Sequence, residues 1–130
     1  MRYVVTDLDT AEVMGSGDVP VLATPRLIEW MEASAVGAAA AFVEPGMTTV
    51  GAAIRVDHPC STPVGGSVDV TATAPAAAIG RRLTFCVQAI DRSGAVVADG
   101  EIDRVMVDRA RFLADAFGDD THHRETFESL

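Results

Sequence analysis

From Thr24 to Val43 apolar residues return every three or four positions, and from Thr48 onward they return every second position. The chain therefore reads as a helix followed by a sheet. With Leu27 at zero and roughly 100° per residue, Ile28, Met31, Ala35, Ala38, Ala39 and Phe42 fall within a sector of about 120°, one apolar stripe. The signals at either end predict a helix over Pro25 to Val43. Thr24 is a good N-cap, Pro25 suits the first helical position, and Glu44-Pro45-Gly46 stops the run.

Four strand-like runs come after it. The first sets Val50, Ala52, Ile54, Val56 and His58 on one face and Gly51, Ala53, Arg55 and Asp57 on the other. The second, Ser67 to Ala74, alternates Val68, Val70 and Ala72 with polar residues. The third carries Leu83, Phe85, Val87 and Ala89 up to the Asp91-Arg92-Ser93-Gly94 turn, and the fourth runs from Ala95 to about Asp108. Short turns between runs imply an antiparallel meander. Ahead of the helix, Tyr3 to Met14 alternates weakly as a strand would, and Gly15-Ser16-Gly17-Asp18 is a loop. Past Phe117 the apolar period disappears, so the expected layout is one domain over 1–117 and a flexible polar tail over 118–130.

Composition narrows the function. At 130 residues and 48% hydrophobic, the chain suits one domain with a buried core. A net charge of −9 with scattered basic residues argues against nucleic acid as a partner. No apolar stretch approaches the ~20 residues of a membrane span, and no signal-peptide pattern opens the chain, so a cytoplasmic address is expected. All ten basic residues are arginine, which excludes Schiff-base chemistry and a P-loop lysine. Cys60 and Cys86 are too few for a disulfide framework or a closed zinc site, and they read as reduced thiols. No metal or cofactor is expected. The His122-His123 pair is too little for a metal site.

Two residues stand in unusual places. His58 is the only histidine before the tail, and its parity puts it on the apolar face of its strand. Such a histidine is either a core residue bonded to a backbone carbonyl or a catalytic base. Glu32 lies at about 140° on the helical wheel, at the margin of the stripe, whereas Glu29 lies at about 200° and Trp30 at about 300°. Glu32 is thus the candidate for a half-buried carboxylate, with an ordinary solvated glutamate as the alternative. Thr24 needs no role beyond capping, and Arg81-Arg82 is either a phosphate contact or a solvated turn.

Taken together, Thr24-Pro-Arg-Leu-Ile-Glu-Trp-Met-Glu32, Val50-Gly51, His58-Pro-Cys-Ser-Thr-Pro-Val-Gly65 and Gly80-Arg81-Arg82-Leu83 resemble the fluoroacetyl-coenzyme A thioesterase family of hotdog proteins. The resemblance implies an α+β fold in which an antiparallel sheet wraps a long central helix. It also implies a homodimer or higher oligomer with acyl-CoA bound at the subunit interface. Thr24, Glu32 and His58 would hold the catalytic positions, Gly51 would lie near the thioester carbonyl, and Arg81 and Arg82 would be available to the substrate. The family's aromatic lid has no counterpart, since Val13 to Ala23 is short and contains no aromatic residue. The expected activity is hydrolysis of a short acyl-CoA thioester. Glu32 would attack or activate water, His58 would act as general base and acid, and Thr24 would position. The rivals are a hotdog hydratase or dehydratase and a non-catalytic acyl-CoA binder.

Overall fold

The computed structural model describes residues 1–118; most of the expected tail, including His122 and His123, lies outside the described residues. The expected fold class is met: strands β1 (Arg2–Val4), β2 (Met47–Asp57), β3 (Ser67–Thr73), β4 (Arg82–Asp91) and β5 (Val96–Asp108) form one antiparallel sheet in the order β1-β3-β4-β5-β2. Helices α1 (Ala11–Met14), α2 (Thr24–Ala39) and α3 (Arg109–Phe117) accompany it. No helix among the described residues is long and apolar enough to cross a membrane.

Only part of the sheet is a meander. β3, β4 and β5 follow one another, but β2 crosses over to pair with β5 and becomes an edge. The amino-terminal strand is much shorter than expected. It stops at Val4, because Thr6 and Asp9 form a reciprocal capping box that turns the chain into a short 3-10 helix.

The core lies between α2 and the sheet. Leu27, Met31 and Ala35 are fully buried against Val70, Phe85 and Ile102. Each large side chain there contributes about 1.5–3 kcal/mol by leaving water. Trp30, which the helical wheel set outside the stripe, is buried as well: its ring stacks on Tyr3 of β1 with centroids 4.3 Å apart, extending the apolar face toward that edge. The α-helix ends earlier than expected. Its last turn tightens to a 3-10 helix over Ala40–Phe42, and Phe42 packs edge-on against Phe85.

Strand β2 departs from simple alternation. A bulge between Gly51 and Ala53 shifts its register on β5: Gly51 pairs with Arg104, Ala53 with Asp103 and Ile54 with Ile102. Cross-strand partners share a face, so Thr49 and Gly51 turn toward the helix side along with Ile54 and Val56, while Val50 turns outward with Val105. Strand parity had grouped Val50 with Ile54 and put Gly51 on the opposite face. The extra residue exchanges them. Because β2 is an edge strand, Ile54 remains exposed in the single chain.

Candidate functional site

The first group forms at the amino end of α2. The helix begins at Thr24 itself, with Ala23 as N-cap and no side-chain capping bond, so the expected capping role of Thr24 is not the one it takes. Its hydroxyl instead lies 2.8 Å from Nδ1 of His58, which follows directly on the end of β2. The other ring nitrogen, Nε2, is buried and has no partner among the described residues. Burial lowers the His58 pKa below its ordinary value, partly offset by a backbone hydrogen bond with Cys60, so the ring is neutral at physiological pH. Thr24 and His58 border a cleft of about 350 Å³ whose wall includes Gly17, Asp18, Val19 and Ser61.

A second group forms two turns along the helix. Glu32 is half-buried, its side chain 38% exposed, and one carboxylate oxygen approaches β2 at Gly51. A Cβ at Gly51 would lie 3.3 Å from Glu32 Oε2 and 3.6 Å from Arg104 Nη1, closer to the carboxylate than most side chains come, so the missing side chain opens this space. The bulge in β2 is what brings Gly51 to this face.

Beside Glu32 stands a residue that sequence reasoning missed. Arg104 is buried on the helix-facing side of β5, with Nη1 3.9 Å from Glu32 Oε2. Its Nε donates to Thr49 Oγ1 and its Nη2 to the Thr49 carbonyl, each at 2.9 Å. Burial lowers the Arg104 pKa and Glu32 raises it again in part. The signal was a charge inside the otherwise apolar second half of β5, Val105-Met106-Val107, but Glu101-Ile102-Asp103-Arg104 reads equally well as a polar stretch.

The remaining candidates lie elsewhere. Arg82 pairs across the sheet with Val105 and Thr84 with Asp103, which sets them on the outer face, away from Glu32. There Arg82 Nη1 meets Asp103 at 2.8 Å, in a network completed by Arg55 and Thr84. Arg81 is half-buried just before β4, its carbonyl accepting from Met106 N–H. Glu29 is exposed and paired with Arg26, as its wheel position implied. No cluster that could hold a metal ion occurs among the described residues.

Comparison with known proteins bears on the family and the fold. Residues 5–110 match the family model described as fluoroacetyl-CoA-specific thioesterase. The fluoroacetyl-CoA thioesterase of Streptantibioticus cattleyicolor is 36% identical over 94 residues, which span 72% of this chain and 66% of that protein, just under two thirds of its length. Among solved structures, a variant of the fluoroacetyl-CoA-specific thioesterase FlK in complex with fluoroacetate and CoA superposes with a TM-score of 0.77 at 30% identity, covering 89% of this chain and 94% of that one. A hot-dog-like protein from Thermanaerovibrio acidaminovorans superposes with a TM-score of 0.78 at 24% identity, over 92% of this chain and 90% of that one, and shares the fold.

Proposed function

The chain belongs to the fluoroacetyl-CoA-specific thioesterase family, and we propose that it hydrolyses a short acyl-CoA thioester with Glu32, His58 and Thr24. The observation that carries this reading is the 2.8 Å contact between Thr24 and His58 Nδ1, with the opposite ring nitrogen buried and without a partner among the described residues. With Nδ1–H donating to the threonine hydroxyl, a neutral imidazole keeps its lone pair on Nε2. That atom can take up a proton as general base and, as imidazolium, give it to the departing thiolate.

Glu32 supplies the oxygen chemistry. Its carboxylate attacks the thioester carbon, or draws a proton from a water that attacks instead. On the first route C–S cleavage leaves a Glu32 acyl anhydride that water then hydrolyses, and on the second the water oxygen adds directly; in both, the proton removed from water passes through His58 to the thiolate, and free acid and CoA result. Gly51 leaves room for the carbonyl beside Glu32. Arg81 and Arg82, at the start of β4, are the proposed contacts for the CoA phosphates.

The site is shared between two copies of the chain. Thr24 and Glu32 are eight residues apart on one helix, a rise of about 12 Å, whereas reacting atoms must come within about 3–3.5 Å. Glu32 of one protomer therefore works with Thr24 and His58 of its partner. Edge strand β2 and its exposed Ile54 are the surface through which two copies meet.

Free-thiol release from a panel of acyl-CoA esters tests the activity, and light scattering tests the assembly. Turnover of short acyl esters by a dimer or larger oligomer is expected. Mixing His58→Gln and Glu32→Gln proteins should restore activity in heterodimers that retain one intact composite site. An active monomer, or no recovery on subunit exchange, would refute the shared site.

A further inference from the structure

Arginine is among the residues least often buried, yet Arg104 is 7% exposed and projects from β5 toward the helix side of the sheet, where Leu83 is its cross-strand neighbour. Such a group is expected to pair closely with a carboxylate, commonly through two parallel hydrogen bonds. Arg104 does not. Two of its nitrogens are held by Thr49, through Oγ1 and the backbone carbonyl, and the third stops 3.9 Å from Glu32 Oε2, beyond hydrogen-bond distance.

We propose that Arg104, clamped by Thr49, is the positioning residue for Glu32: it sets a fixed positive charge beside the carboxylate without occupying its oxygens. This rests on Glu32 being the catalytic carboxylate. A fork-to-fork ion pair would tie up the lone pairs that must attack carbon or accept a proton from water. No charge at all beside it would leave nothing on the sheet to hold the half-buried carboxylate over the open space at Gly51. The Thr49 clamp resolves the conflict by fixing the guanidinium through its other two nitrogens. Thr49 and Gly51 reach this face only through the bulge in β2, so the same backbone irregularity supplies both the clamp and the open space.

The test is a double-mutant cycle on the intact oligomer, with acetyl-CoA as probe and thiol release as readout. Arg104→Met should lower kcat by roughly ten- to a hundredfold and leave KM within about threefold, because the lost interaction acts on the attacking group. Arg104→Lys, which keeps the charge but not the fork, should recover part of that loss. In a Glu32→Gln background Arg104→Met should have little further effect, since the group it positions is gone. Thr49→Val, nearly the same shape without the hydroxyl, should reproduce a milder loss in the wild-type background and none in the Glu32→Gln background. It keeps the cycle available if Arg104→Met fails to assemble.

Losses that multiply in the double variant would overturn the proposal, as would near wild-type turnover in both Arg104→Met and Thr49→Val. A Glu32→Gln protein with undiminished turnover would instead overturn the reading of Glu32 on which the proposal rests.

Discussion

Asp103 and Arg104 are adjacent in β5 and face opposite ways, and each is the buried charge of its side of the sheet. On the outer face Asp103 receives Arg55 at 3.0 and 3.1 Å, Arg82 at 2.8 Å and Thr84 at 2.8 Å, which fills its acceptor capacity. Burial would raise the pKa of its carboxyl, but hydrogen bonds from Arg55, Thr84 and Arg82 outweigh burial and hold it below its ordinary value. On the inner face Arg104 and Glu32 stop 3.9 Å apart. A saturated network holds strands together; an unsaturated one leaves an oxygen free to react. The outer cluster is accordingly architecture, and the inner one is where chemistry is to be sought.

The largest effect that would sharpen this contrast comes from exchanging one carboxylate for its amide on each face. Glu32→Gln should reduce thiol release by at least ~100-fold while moving the thermal midpoint less than the outer-face exchange does, because Glu32 is 38% exposed, stands 3.9 Å from Arg104 and accepts no hydrogen bond from it. Asp103→Asn should do the opposite. It removes the charge and turns one buried acceptor into an amide donor that faces arginine, and should destabilise by about 1–3 kcal/mol, with turnover per folded molecule intact. Turnover assays and thermal melts on the two proteins decide it. If both variants lost activity in proportion to stability, the distinction between the faces would fail.

Much of the inner face was legible in the chain, for reasons that also explain what was missed. Helical spacing put Glu32 at the rim of the apolar stripe because a single helix obeys its own period. Thr24 was misread as a cap because Thr-Pro is a strong start signal, yet the helix opens one residue early and frees the hydroxyl for His58. Gly51 was assigned to the wrong face, and Thr49 went unnoticed, because a bulge is a property of two paired strands and leaves no mark in the alternation of one. Arg104 was hidden for a related reason: only the packing of α2 across the sheet brings it near Glu32. Trp30 escaped because its partner, Tyr3, comes from a strand far away in sequence.

A smaller effect probes the open space of the inner face. Gly51→Ala would set a Cβ 3.3 Å from Glu32 Oε2, so the carboxylate must yield by a few tenths of an ångström. Turnover should fall roughly tenfold, since misplacing a reacting group is felt more strongly in rate than in stability. On the outer face, Ala53→Gly, opposite Asp103, should leave turnover unaltered. Steady-state kinetics on both variants is the check, and equal losses would dissolve the contrast between the faces.

The smallest effect separates the two regions by acidity. His58 and Asp103 both have pKa values lowered by folding, so in each case the unfolded chain binds more protons and stability is lost as pH falls. The windows differ. His58 contributes fully above its unfolded value of 6.5 and loses that contribution as pH drops from there through its lower folded value. Asp103 contributes above 3.8 and loses its share only in stronger acid, as its own lower folded value is passed. Acidification should therefore loosen the candidate active site before it touches the outer network. Thermal midpoints measured from neutral pH downward should show a slight early decline that is absent in His58→Gln, followed by a later decline that is blunted in Asp103→Asn. An early decline that persisted in His58→Gln would mean that another group senses the proton, and the buried His58 ring would lose its place as the acid-sensitive point of the fold.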